Sequence, residues 1–118
     1  MKGVVNTGIG EVTIDHDVLA NYAGSAAVEC FGVVGMASVS MKEGFARLLK
    51  RESLSNGVDL KVEGDRIKVS LHVIVAYGVS ISAVADNLIS NVKYKFEEYT
   101  GMKVEAVRVF VEGVRELD

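Results

Sequence analysis

The sequence predicts an α+β fold, a two-layer sandwich with two main helices covering one face of a mostly antiparallel sheet of three to four strands. Three stretches predict it. Residues 58–76 alternate apolar and polar side chains on either side of Gly64-Asp65. Residues 77–101 repeat apolar side chains every three or four positions. Residues 104–111 return to alternation, with Val107, Val109 and Val111 on one face and Arg108, Phe110 and Glu112 on the other. A strand pair, a long helix and a further strand, preceded by a second helix, suit a sheet with its helices on one side.

The strand pair is the clearest local signal. Val58, Leu60 and Val62 alternate with Asp59, Lys61 and Glu63; Ile67, Val69, Leu71, Val73 and Val75 alternate with Lys68, Ser70, His72 and Ile74. Gly64-Asp65 suits a two-residue hairpin turn. That turn sets Glu63 opposite Arg66, Val62 opposite Ile67 and Leu60 opposite Val69, so apolar meets apolar, and a one-residue slip would break the match. The same register sets Lys61 opposite Lys68, a repulsive pair that predicts a face open to water.

The long helix places Ile81, Val84, Leu88, Val92, Phe96 and Tyr99 on one stripe, the spacing that stacks side chains on one helical face. Ser80 or Ser82 stands where an N-cap belongs, and Gly101 where a C-terminal glycine belongs.

Upstream, Glu11-Val12-Thr13-Ile14 alternates as a strand, and Val4 and Val5 extend an earlier one that Asn6 to Gly10 interrupt. Asp15 can cap a first helix and Asp17 suits its positive end. Leu19, Ala23, Ala26 and Cys30 line that helix, with Val18 and Tyr22 beside them. Met36 to Ser40 reads as either a short strand or an irregular connection, with the strand favoured. Met41, Phe45, Leu48 and Leu49 have helical spacing, so a short helix is predicted there, weakened by Gly44. Glu52 to Gly57 is a polar loop.

A chain of 118 residues is predicted to form a single domain over 1–118. With 49% hydrophobic and 25% charged residues it suits a globular protein. A net charge of −3 gives no overall attraction to nucleic acid or anionic membranes. Cys30 is the only cysteine, so no internal disulfide forms, which fits a reducing cytoplasm. No apolar run approaches the ~20 residues that span a bilayer, and the N-terminal stretch lacks the apolar core of a signal peptide.

Several fragments, in order and spacing, resemble the bacterial alkaline-shock-protein family. They are GEVTI at Gly10 to Ile14, the alanine-rich helix to Glu29, Gly32-Val33, GVDLKV from Gly57, YGVSI at Tyr77 to Ile81, Thr100-Gly101, and VRVFVEGV at Val107 to Val114. The likeness covers nearly the whole chain. It implies a short single-domain member of a non-catalytic family of general-stress and cell-envelope-homeostasis proteins. Some members self-associate and are held at the membrane by a separate integral-membrane partner. The chain departs from the family pattern where Phe31 and Ser82 stand in place of common prolines; both lie at helix ends.

No residue is nominated for catalysis, metal or cofactor. Asp15-His16-Asp17 reads as a helix cap, because consecutive residues rarely converge on one ion. Cys30 reads as a buried thiol with no nearby base to stabilise a thiolate. Gly32-Val33-Val34-Gly35 spells the GxxG of RNA-binding KH domains, but apolar Val33 and Val34 favour a helix-ending glycine and a buried turn. The interaction candidates are Phe110, Ile74 and Tyr77 as apolar contacts, with Lys68 and Arg108 as polar rim and His72 beside them. The sequence thus predicts a cytoplasmic binding and assembly protein without cofactor, acting through self-association or docking to a membrane-anchored partner. A KH-like RNA-binding module or a small enzyme with an unrecognised site is the alternative.

Overall fold

The computed structural model describes residues 2–39, 46–48 and 56–116. Among these the chain runs through β1 (Lys2–Asn6), β2 (Glu11–Asp15), α1 (His16–Val28), β3 (Val33–Val39), β4 (Ala46–Leu48), β5 (Val58–Glu63), β6 (Arg66–Ala76), α2 (Ile81–Thr100) and β7 (Lys103–Arg115).

β6 is the axis of the sheet. Its alternating Ile67, Val69, Leu71, Val73 and Val75 are all buried. One edge pairs first with β5 and then with β3, both antiparallel. The β5–β6 register is the one the turn and the alternation predict: Glu63 faces Arg66, Val62 faces Ile67, Leu60 faces Val69 and Lys61 faces Lys68. β3 continues along that edge, with Val33 facing Val75 and Met36 facing Val73. The strand expected from Met36 is therefore present over Val33–Val39, beginning earlier, and Ser40 lies outside the described residues.

The other edge of β6 pairs with β7 along its whole length, in parallel, from Arg66 beside Lys103 to Ala76 beside Arg115. Parallel neighbours need a long crossover, and α2 supplies it. Its 20 residues span roughly 30 Å at 1.5 Å per residue, enough to carry the chain back along β6. The remaining pairings are antiparallel. The α+β class and the mostly antiparallel sheet follow as predicted, with five strands in the main sheet and β1–β2 as a separate hairpin.

α1 and α2 cover the face that carries the β6 valines. Leu19, Ala20, Ala23 and Ala27 of α1 are fully buried; the small size of the alanines brings α1 close to α2. In α2 the buried seam is Val84, Leu88, Val92, Phe96 and Thr100. Ser80 caps it, its hydroxyl accepting from the Ala83 amide at 3.3 Å. Gly101 closes it in the left-handed conformation, φ 74°, donating its N–H to Glu97 O. Two members of the predicted stripe lie outside the seam: Ile81 is 47% and Tyr99 57% exposed. Tyr99 instead meets Tyr22 of α1, ring centroids 5.6 Å apart.

The joint between the layers falls at Gly32. Its φ is +85°, and a β-carbon there would sit 2.6 Å from Val84 Cγ2. Its carbonyl accepts the Ala76 amide at 2.8 Å. The absence of a side chain thus lets α2 start directly over the end of α1.

One element differs in kind. The short helix predicted from Met41 onward is contradicted at Ala46–Leu48, which is a strand pairing with β3, Ala37 facing Leu48 and Val39 facing Ala46. The outer edge of β3 offers that segment a ladder of backbone partners, and Gly44 weakens the helical alternative. The rest of that predicted helix, and most of the predicted loop from Glu52, lie outside the described residues.

Candidate interaction surface

The side of the sheet opposite the helices is built by alternate residues of β5, β6 and β7. Because side chains alternate along a strand, burying Ile67 to Val75 inward turns Lys68, Ser70 and His72 outward. β5 adds Asp59 and Lys61, and β7 adds Arg108, Phe110 and Glu112. Asp59, Leu60, Lys61, Lys68, Ser70 and Arg108 line a shallow depression on this surface.

His72 is its most connected side chain. Nδ1 lies 3.0 Å from Glu112 Oε1, and Nε2 lies 3.0 Å from Asp59 Oδ2. Ionised carboxylates only accept, so both bonds form together when the ring is the doubly protonated imidazolium. Partial burial pushes the imidazole pKa down. The hydrogen bonds to Glu112 and Asp59, and the two carboxylate charges, outweigh it, leaving the pKa raised from 6.5. One ring thus ties three strands together.

Phe110 stacks on that ring, centroids 4.9 Å apart and planes 12° from parallel. The Arg108 guanidinium carbon lies 5.2 Å from the Phe110 centroid, within reach of a cation–π contact. Phe110 is half-buried, flanked by two cationic side chains, and neither hidden nor fully displayed.

Of the predicted contacts, Lys68, His72, Arg108 and Phe110 share this surface. Ile74 does not offer the apolar contact predicted for it: it is only 3% exposed, beside Gly35 of β3 and Gly113 of β7. Tyr77 is 71% exposed, but it stands past the end of β6, where its amide donates to Arg115 O at 2.8 Å. Asp59 and Glu112 were not predicted. The hairpin register sets Asp59 opposite Ser70 and so diagonal to His72, a legible signal. Glu112 reaches His72 only because β7 runs parallel to β6, which no local pattern announces.

Other motifs are accounted for structurally. Gly32-Val33-Val34-Gly35 leads from α1 into β3 and does not join two helices, so the KH geometry is absent. Cys30 is buried and its thiol lies 3.5 Å from Ala26 O, as donor. His16 Nδ1 lies 3.7 Å from Asp17 Oδ1 at the start of α1. Among the described residues no three metal-ligating side chains cluster, and no helix is long and apolar enough to cross a membrane.

One family profile matches most of the chain. The profile of the alkaline shock protein 23 family, with a cell envelope-related function, matches residues 4–116. The chain is 41% identical over 112 residues to the uncharacterized Bacillus subtilis protein YloU, covering 94% of this chain and 93% of that protein. It is 38% identical, with the same coverage, to the uncharacterized protein Spy1614 of Streptococcus pyogenes serotype M6. Among solved structures, a copper form of a MamM CTD variant superposes with a TM-score of 0.54 at 15% identity, covering 86% of this chain and all of that one. At that identity the likeness concerns the fold alone.

Proposed function

The chain belongs to the alkaline shock protein 23 family, and from that premise we propose that it is a non-catalytic binding and assembly protein of the cell envelope or general stress response. It acts in the cytoplasm by self-association or by docking to a membrane-anchored partner. The observation that carries this reading is the half-buried Phe110, held between His72 and Arg108 on the sheet face opposite both helices. An aromatic on such a face, with a charged rim, is the composition of an interface anchor.

The enzymatic alternative is weaker on this surface. A general base needs a free ring nitrogen aimed at substrate, and both nitrogens of His72 are engaged by carboxylates. The RNA-binding alternative loses its motif, since the GxxG segment enters a strand, and the acidic balance opposes it.

Phe110→Asp is the test. The wild-type chain is expected to scatter light as an oligomer and to retain its partner in a pull-down from the native host. The variant, with an unchanged circular-dichroism spectrum, is expected to lose one or both. If both persist in the variant, the sheet face is not the binding surface.

A further inference from the structure

Among the described residues β7 pairs only with β6, so its outer edge has no neighbouring strand, and beyond Val104, whose amide donates to Glu97 Oε2, its outward backbone groups have no strand partner. This is the longest strand described, 13 residues. A long edge is a template for a further strand. We propose that its occupant is the β7 of a second copy of this chain, antiparallel about a twofold axis that passes at Phe110. This rests on the self-association reading and assigns it an interface and a register.

Charge sets the register. In an antiparallel pair, directly opposed residues share a face and approach within about 5.5 Å. With the axis at Phe110, Arg108 opposes Glu112 of the second copy, and the symmetry repeats that pair. Val109 opposes Val111, and Glu105 opposes Arg115. Every charged residue from Glu105 to Arg115 then meets the opposite sign. Neighbouring registers fail. An axis at Arg108 sets that residue against itself, and one at Glu112 does the same to the glutamate. An axis at Val109 sets Lys103 against Arg115, and one at Val111 sets Arg115 against Val107.

Arg108 and Glu112 are available for these roles, while Glu105 already meets Arg66 Nη1 at 3.4 Å. Among the described residues Arg108 is exposed, and its guanidinium has the Phe110 ring as partner and no carboxylate. Glu112 gives Oε1 to His72, which holds the carboxylate on the outer face, its second oxygen meeting no donor among the described residues. β7 shifts register against β6 between Ile67 and Lys68 and again between Val73 and Ile74. Between those irregularities Ala106 to Val111 is a regular ladder that contains Phe110, and Glu112 stands at the second irregularity. A C2 contact of this kind is self-complementary and closes at the dimer. It joins the two sheets edge to edge and places both Phe110–His72 stacks side by side on one continuous face.

Variants of the full chain that each add one cysteine test the register, with wild type, whose own Cys30 is buried, as baseline. Under mild oxidation Phe110→Cys is expected to convert to a disulfide-linked dimer, whereas Tyr94→Cys, at an exposed position of α2, stays monomeric on a non-reducing gel. Arg108→Cys and Glu112→Cys are each expected to stay unlinked alone and to link when mixed. Independently of any cysteine, Arg108→Glu is expected to raise the dimer dissociation constant by roughly two- to thirty-fold, from the two symmetric pairs it reverses. Native mass spectrometry of the wild type separates the two levels of failure. A wild-type oligomer with no linking at Phe110, or with Arg108→Cys linking to itself, overturns this interface while self-association stands. A wild type that is monomeric at every concentration overturns both.

Discussion

The carboxylate of Glu112 lies 3.0 Å from Nδ1 of His72 across the parallel β6–β7 pair, and the other nitrogen of that ring serves Asp59 on β5. One imidazolium therefore bridges the hairpin to the last strand. Charge-assisted hydrogen bonds are worth about 1.5–3 kcal/mol when well shielded and less when exposed. The Asp59 side chain is 77% exposed and that of Glu112 25%, so the two bonds are unequal. Glu112→Gln is expected to destabilise the fold by about 1–2 kcal/mol, and Asp59→Asn by under 1 kcal/mol. Urea unfolding of the two variants checks the order; equal losses would show that burial does not set it.

The same ring makes stability pH-dependent. The His72 pKa is raised in the folded state from 6.5, so the folded protein binds its proton more tightly than the unfolded chain does. The stabilisation is complete below the unfolded value, near 6.5, and is lost as pH rises through the higher folded value. The wild type is thus expected to exceed His72→Gln most between about pH 5 and 6.5, the margin shrinking above that range. Chemical denaturation across pH decides it. A margin that grows from pH 6 to 9 would mean that the ring is neutral in the fold.

Gly32→Ala is expected to be among the costliest single-methyl additions. It combines a positive φ, worth about 1–2 kcal/mol for a residue with a side chain, with a methyl 2.6 Å from Val84 Cγ2. The total is expected to exceed 2 kcal/mol. Val84→Ala in the same chain removes the clashing methyl and should recover part of the loss beyond simple additivity. A double-mutant cycle by thermal unfolding measures that coupling; strict additivity would locate the cost in the backbone alone.

The elements that were legible in the sequence owe their form to neighbours close along the chain. The β5–β6 register follows from Gly64-Asp65 and from alternation within a few residues of it, so Val62 opposite Ile67 needed no tertiary knowledge. The direction of β7 does not follow in that way, because Val107, Val109 and Val111 alternate alike in a parallel or an antiparallel strand. Only the length and packing of α2 decide it, and with it the meeting of Glu112 and His72. Ala46–Leu48 shows the same limit: the spacing of Phe45, Leu48 and Leu49 suits a helix, and the β3 edge overrides it. Ile74 fits an outward position by parity, yet it is buried, because parity assigns a face and does not say how crowded that face is.

The α2 seam separates two aromatic residues that the sequence pattern treats alike. Phe96 is fully buried and Tyr99 is 57% exposed against Tyr22. Phe96→Ala is expected to cost about 3–5 kcal/mol, Tyr99→Ala about 1 kcal/mol or less. Denaturant midpoints at constant m-value measure both. A large Tyr99→Ala loss would mean that the ring covers more of the α1–α2 joint than its exposure indicates.

An edge strand that assembles leaves a mark on its own backbone. Alternate amides of β7 point away from β6 and exchange with solvent unless another strand accepts them. In a dilute solution of the chain those amides, between Ala106 and Val111, are expected to exchange within the range of exposed backbone, while the amides facing β6 are slow. Raising the protein concentration is expected to protect the outward set and leave the β6-facing set unchanged. Hydrogen exchange resolved by residue reads this directly, and Arg108→Glu should move the protection to higher concentration. Protection that grows instead in α1 or α2 would place the contact on the helical layer, away from Phe110.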